Sequence, residues 1–307
     1  MGFTLACPVC RGNLDASRPD LLHCSTCDMT YPCIDGIWRM LPVDRMATYQ
    51  KFIQEYETIR RAEGRGSQDP EYYRSLPFAD LSGRRNEEWA IRGRSFRSLL
   101  DHFIYPFESQ YGRLLRILDL GAGNAWLSNR LVQRGHHLAA IDLLVNKFDG
   151  LGANQYYETR FLAVQAEFDH LPLAGRQVDL VIFNASFHYS MDYNVTLGET
   201  LRVLAEGGQV VVLDTPVYRQ ANSGAQMVQE RQLQFERQYG FPSNAIPSEN
   251  YLTFDRVREL GGLHSLAWEP LTPVYGFRWV VRPWIARLRQ QREPARFIIL
   301  IGKRDEK

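Results

Sequence analysis

Several groups of residues in this 307-residue chain combine type and spacing in ways that point to chemistry. Cys7-Pro8-Val9-Cys10 and Cys24-Ser25-Thr26-Cys27 are two CxxC knuckles with thirteen residues between them. Each knuckle turns two thiolates toward one point, and the pair closes a tetrahedral sulfur shell of the kind that holds zinc. A closed shell leaves no position for water, so the metal expected here is structural. Cys33 lies outside the knuckles and reads as a small buried apolar residue. Farther on, Asp119-Leu120-Gly121-Ala122-Gly123 runs from an apolar stretch into a glycine turn. Glycines there let backbone approach a ligand where a Cβ would collide. The next apolar run ends in Asp142, about the spacing at which a carboxylate meets a ribose diol. His188 follows a later run and is the general-base candidate, because imidazole exchanges protons near neutrality. Asp214, at the end of the run after that, is the second candidate. Either residue can equally serve packing, His188 beneath a loop and Asp214 by bonding the Thr215-Pro216 turn.

Elements must hold these groups in place. Short apolar runs at 116–120, 137–142, 161–164, 178–183 and 208–213 alternate with helical stretches, the pattern of βαβ units and a parallel sheet. Runs at Leu263 to Trp268 and Arg296 to Ile301 are expected to add an antiparallel edge. All five cysteines fall before residue 34, so residues 1–42 read as a zinc-stabilised module too short to bury much core of its own. Residues 43–110 read as a helical cap. Tyr49, Phe52, Ile53 and Tyr56 form one helical stripe, and Trp89, Phe96, Leu99, Leu100 and Phe103 a second. Both are expected to pack as a lid over the ligand end of the sheet, since aromatic faces need a partner to bury against. Residues 111–307 form the main domain. The fold class is therefore α/β, a Rossmann-like doubly wound, mostly parallel sheet.

The order of the motifs resembles that of class I S-adenosylmethionine-dependent methyltransferases. In that family a D-L-G-x-G turn is followed by an acid ending the second strand, a D-A-x-x-L-P segment and an F-D-L-V strand. Here the corresponding residues are Asp119 to Gly123, Asp142, Glu167 to Pro172, and Val178-Asp179-Leu180-Val181. Leu204-Ala205-Glu206-Gly207-Gly208 is similar to the family's L-x-P-G-G turn, with Glu206 in place of proline. Ala125 takes the third small position of the glycine turn. The glycine turn alone would also suit a dehydrogenase or another nucleotide-binding scaffold. The resemblance covers roughly residues 111–215 and implies a set of roles. Gly121 and Gly123, with Ala122 between them, pass beneath the methionine part of the donor, and Asp119 faces its amino group. Asp142 holds the ribose hydroxyls, Glu167 and Phe168 the adenine, and Asn184 and Ala185 the sulfonium side. The stretch from Leu22 to Ile37, with Tyr31-Pro32 and Asp35-Gly36-Ile37, resembles a small zinc ribbon that also occurs as a separate activator of tRNA and translation-factor methyltransferases.

The acceptor is less legible. No cysteine lies beyond Cys33, which removes base-carbon methylation through a cysteine adduct. Asn184-Ala185-Ser186-Phe187-His188-Tyr189 lacks the prolines of the exocyclic-amine methylases and resembles the small-molecule branch. The expected acceptor is a hydroxyl or activated carbon of a small or lipid-like molecule. The alternatives are an RNA methyltransferase gripping RNA through the ribbon, and a donor-binding regulator without activity. A net charge of +1 weighs against nucleic acid held by bulk charge. Clustered cysteines and the absence of a signal-like N-terminus point to a reducing cytoplasm, and no apolar run is long enough to span a bilayer. Arg282-Pro283-Trp284-Ile285 through Arg292 reads as a basic helix beginning near Pro283. Its expected role is either peripheral contact with a membrane or ordinary packing of Trp279 and Trp284 with arginines reaching past them.

Overall fold

The computed structural model describes residues 2–304. Four short strands, β1 (Asp15–Arg18), β2 (Leu21–Cys24), β3 (Met29–Ile34) and β4 (Ile37–Arg39), form an antiparallel meander around the cysteines. Helix α1 (Val43–Ala62) follows, then α2 (Pro70–Ser75), which Asp69 caps by accepting from the Glu71 backbone N–H at 2.9 Å. Helix α3 (Asn86–Leu99) passes through a π-helical turn at Leu100–Ile104 into α4 (Tyr105–Tyr111).

The main domain then alternates: β5 (Arg116–Leu120), α5 (Trp126–Val132), β6 (His137–Asp142), β7 (Leu162–Gln165), β8 (Val178–Asn184), α6 (Tyr193–Val203) and β9 (Leu204–Leu213). Beyond it come β10 (Val217–Tyr218), α7 (Ala221–Tyr239), β11 (Leu252–Thr253), α8 (Phe254–His264), β12 (Leu266–Leu271), α9 (Phe277–Leu288) and β13 (Ile299–Arg304). Every residue of β8 is buried, as a parallel strand covered on both faces requires. Alternate side chains serve opposite layers. Leu118, Leu120, Val181 and Phe183 join the layer under α6 and α8. Ile117, Leu180 and Ile182 join the layer with Trp126 of α5.

Among the described residues the sheet has eleven strands in the order β1-β2-β3-β4-β7-β6-β5-β8-β9-β13-β12. From β4 to β9 neighbours are parallel; β13 is antiparallel to both β9 and β12. The Rossmann-like α/β fold is thus as expected. The order reverses at β5, flanked by β6 and β8, which is where open α/β sheets bind ligands.

Four expectations change. The sheet runs straight across the boundary expected at residue 42, because β4 pairs with β7, Ile37 opposite Ala163. The second aromatic stripe is not part of a lid: Trp89 and Phe96 set their rings nearly perpendicular to Trp126, 6.0 and 5.5 Å away, on one face of the sheet. The run at Leu263 divides, with α8 extending to His264 and a left-handed Ser265 turning the chain into β12. Helix α9 starts at Phe277, so Pro283 sits in its interior, where it cannot donate to the Trp279 carbonyl.

Candidate active site

The turn after β5 is held from beneath by the acid that ends β6. Asp142 Oδ2 accepts from the Gly123 N–H at 2.7 Å and Oδ1 from the Leu144 N–H at 2.8 Å. Gly121 has φ +73°, and a Cβ there would lie 2.3 Å from that of Ser186, so the turn requires glycine. Around this turn lies a cavity of about 720 Å³ of empty space. Gly121, Gly123, Asp142, Glu167, Phe168 and Ala185 line its floor and sides. Burial pushes the Asp142 carboxyl up to about 6, against the pull of the backbone N–H groups.

Of the other residues singled out from sequence, Asp119 and Asn184 stand back from the cavity lining. Asp119 accepts from Ser128 Oγ at 2.8 Å, and burial pushes its carboxyl up to about 7. Its Oδ1 and the Oδ1 of Asn184 are buried without a hydrogen-bond partner among the described residues. Ala122 is buried within the turn itself. Ala125, counted as the third small residue of the turn, holds a left-handed φ of +58°, as do Ala185 (+55°) and Asp214 (+52°). Left-handed non-glycine backbone thus occurs at the carboxyl ends of β8 and β9 and at the start of α5, as it does at several turns elsewhere in the chain.

Helix α1 roofs the cavity with Tyr49, Phe52, Tyr56 and Arg60. Ion pairs latch it at both ends. Arg45 donates Nε and Nη2 to the two oxygens of Glu167 at 2.6 and 2.5 Å, and Tyr49 OH adds a bond to Oε2 at 2.8 Å. His170 Nδ1 lies 2.9 Å from Oε1. At the far end Arg60 pairs with Asp149, another lining residue. The Glu167 carboxylate, read from sequence as an adenine contact, is thus spent on the roof in this conformation.

A second cavity, about 600 Å³, adjoins the first and shares Phe52, Tyr56, Arg60, Tyr189 and Ile246 with it. Its outer wall is Arg231 and Phe235 of α7. Arg65 and Glu63 in this wall pair with each other at 2.6 Å, and Arg65 also with Glu88. Arg231 donates Nη2 to Asn250 Oδ1 at 2.6 Å, while its Nε is buried without a partner among the described residues.

The two proton-transfer candidates need correction: neither His188 nor Asp214 lines either cavity. His188 lies buried with Nδ1 3.4 Å from Thr215 Oγ1. Burial, reinforced by the charges of Arg231 and Arg92, drives its pKa down to about 3, so it is neutral and a weak base at pH 7. Asp214 accepts from Ser95 Oγ at 2.5 Å, which also contacts Tyr275, and burial raises its pKa.

The glycine turn, Asp142 at the end of β6 and Glu167 just past β7 fall within residues 118–212, which match the family profile described as "Methyltransferase domain". These residues are a methyltransferase domain. An uncharacterized methyltransferase of Mycobacterium tuberculosis is 35% identical over 95 residues, 31% of this chain and 37% of that protein. A malonyl-[acyl-carrier protein] O-methyltransferase of Erwinia pyrifoliae is 27% identical over 134 residues, 44% of this chain and 48% of that protein. The alignments span between a third and a half of the length of these curated relatives. Among solved structures, an S-adenosylmethionine-dependent methyltransferase from Mesorhizobium loti is similar, with 18% identity over 62% of this chain and 91% of its own, at a TM-score of 0.46. The methyltransferase domain contains Asp142, Glu167 and the glycine turn, while α1, α7 and the cysteine module lie outside it.

The cysteine module docks beside the domain's cavity. Met40 N donates to the Gln165 carbonyl at 2.9 Å, Ala6 N to Pro172 at 3.1 Å, and Arg11 pairs with Glu199 of α6 at 2.6 Å. Ligand atoms of Cys7, Cys10, Cys24 and Cys27 lie within 4.8 Å of one another, and Cys33 is not part of the group.

Proposed function

We propose that the chain transfers a methyl group from S-adenosylmethionine to a hydroxyl, carboxyl or activated carbon of a small-molecule or lipid-like acceptor seated in the 600 Å³ cavity. The donor supplies a methyl on a sulfonium, an electrophile that asks mainly for in-line approach of a nucleophile and exclusion of water. Asp142 is placed to accept the ribose hydroxyls, and the glycine turn to pass under the methionine portion. Phe168 offers a face to the adenine ring, and the roof of α1 excludes water.

The observation that carries this reading is the shared wall. Phe52, Tyr56, Tyr189 and Ile246 belong to both cavities, so the two lie side by side and an acceptor site adjoins the donor site. Phe52, Tyr56, Ile59, Tyr189, Phe235 and Ile246 supply the apolar part of the second cavity and Arg60, Arg65 and Arg231 a basic part, a mixture that suits a small molecule with an apolar body and an anionic group. The likeness to a malonyl-[acyl-carrier protein] O-methyltransferase favours an oxygen acceptor. The Arg231 guanidinium in the cavity wall suits a carboxylate or phosphate on that acceptor. An acceptor already ionised needs no base, which agrees with the distance of His188 and Asp214 from the cavities.

We also infer one structural zinc in the cysteine module. Zn–S bonds of about 2.3 Å in a tetrahedron put the sulfurs roughly 3.8 Å apart. Cys10 and Cys24 Sγ are already 3.5 Å apart, so the donor set fits. Four free thiols suit the reducing cytoplasm, where we place the protein. Calorimetry tests the donor assignment: the purified chain binds S-adenosylhomocysteine and not a nicotinamide dinucleotide. Preference for the dinucleotide overturns it.

A further inference from the structure

Helix α9 turns its apolar side to solvent. Phe277, Val280, Trp284 and Leu288 recur at three- and four-residue steps and so form one stripe. They are 79%, 69%, 69% and 84% exposed, and Ile285 and Val274 widen the same patch. The opposite side faces the protein: Ala286 is buried, and Trp279 packs its ring 4.8 Å from Tyr275 and 5.6 Å from Phe297. An amphipathic helix that only served the fold would have the reverse polarity.

The charges around the stripe are of one sign. Arg278, Arg282, Arg287, Arg289 and Arg292 fall in or just after the helix, and no acidic residue lies between 270 and 292. Successive residues advance by about 100° around a helix. Arg278, Arg282 and Arg289 therefore border one flank of the stripe and Arg287 the other. Arg282 stacks on Trp279 at 4.0 Å. Among the described residues, Arg292 is the one of the five that pairs with a carboxylate, Glu230 of α7 at 2.6 Å. An apolar stripe with cations on both flanks, fixed to a protein by its third side, is the composition of a helix lying in the plane of a bilayer surface. Tryptophan at the stripe's centre suits the headgroup boundary.

We propose that α9 docks the protein on an anionic membrane, its stripe in the headgroup and acyl boundary and its arginines against lipid phosphates. A second copy of the chain is disfavoured on this face, because a symmetric contact sets the arginines against themselves. The inference concerns α9 alone and stands apart from the reaction.

Co-sedimentation with vesicles tests it. The wild-type chain pellets with vesicles of phosphatidylcholine mixed with phosphatidylglycerol, stays in solution with phosphatidylcholine alone, and releases as salt is raised. Arg287→Gln and Arg289→Gln lower the partition by roughly five-fold for each arginine removed. Trp284→Ser with Leu288→Gln abolishes it, while unchanged melting of these variants shows the fold intact, since both side chains are exposed. A wild type that remains soluble with anionic vesicles at low salt overturns the proposal, as does a Trp284→Ser, Leu288→Gln chain that binds like wild type. A wild-type dimer that these substitutions dissociate, with no vesicle binding, reassigns the stripe to self-association.

Discussion

Asp142 accepts two backbone N–H groups, yet burial still holds its carboxyl near 6. The sign of its pH dependence follows. In the ribose role proposed for it, the hydroxyls donate to the ionised form, so donor affinity is expected to be complete above about pH 6 and lost as pH falls through that value. S-adenosylhomocysteine binding by wild type is expected to weaken by up to about tenfold per pH unit below 6. Asp142→Ala removes that dependence and weakens binding at pH 7.5 by about 1.5–3 kcal/mol. Calorimetry across pH checks both, and an affinity flat from pH 5 to 8 would rule out the ribose role. Folding stability has the opposite sign. With its pKa raised above the ordinary carboxylate value, Asp142 favours the donor-free fold most at low pH, and that contribution is lost as pH rises through about 6. Asp142 and the glycine turn were legible because the motif is local, with turn and acid on adjacent strands. His188 and Asp214 misled because a place in the right loop does not say which way a side chain faces. Asp149 carries no sequence signal, since its meaning comes only from cavity walls that residues far apart in the chain assemble.

At the scale of elements, α1 is the part whose packing and role meet. It runs from one pocket carboxylate to another, with Arg45 on Glu167 and Arg60 on Asp149. Both carboxylates are almost fully buried, so opening the helix exposes them together with Tyr49 and Phe52. Donor binding should fasten it further. In hydrogen exchange, residues 43–62 are expected to slow when S-adenosylhomocysteine is added, and Arg45→Met should speed their exchange in the free protein. Exchange of this segment that ignores the ligand would leave α1 as a linker with no lid role. The helix itself was readable from the spacing of Tyr49, Phe52 and Tyr56, and its position over the sheet from their need for burial. The equal claim made for Trp89 and Phe96 failed because periodicity identifies an apolar face without naming its partner, and Trp126 was the nearer one. The buried strands were plain because a strand covered on both sides is apolar throughout. The run at Leu263 was ambiguous, since a short apolar stretch fits a helix end as well as a strand.

For the molecule as a whole, the cysteine module is an extension of the sheet. Strand β4 covers the edge that β7 would otherwise present, and the bridge between Leu5 and Leu173 ties the module down a second time. An uncovered edge strand is a template for association. Metal analysis of chain purified without chelator is expected to find one zinc per molecule, lost in Cys24→Ser. That variant, or wild type stripped by chelator, should melt lower and aggregate. A metal-free wild type that remains folded and monomeric would remove the zinc from the account. No sequence pattern announces the pairing of β4 with β7, because nothing local connects Ile37 to Ala163. The same pairing sets an order of events during synthesis. Ribosomes add about 5–20 residues per second, so β4 emerges roughly 6 to 25 s before the strand it must join. Throughout that wait the nascent module has no neighbouring sheet to lean on. On the zinc assignment proposed above, the four thiolates would gather their metal before β7 is made, and the finished ribbon would stand as the seed against which β7 is laid.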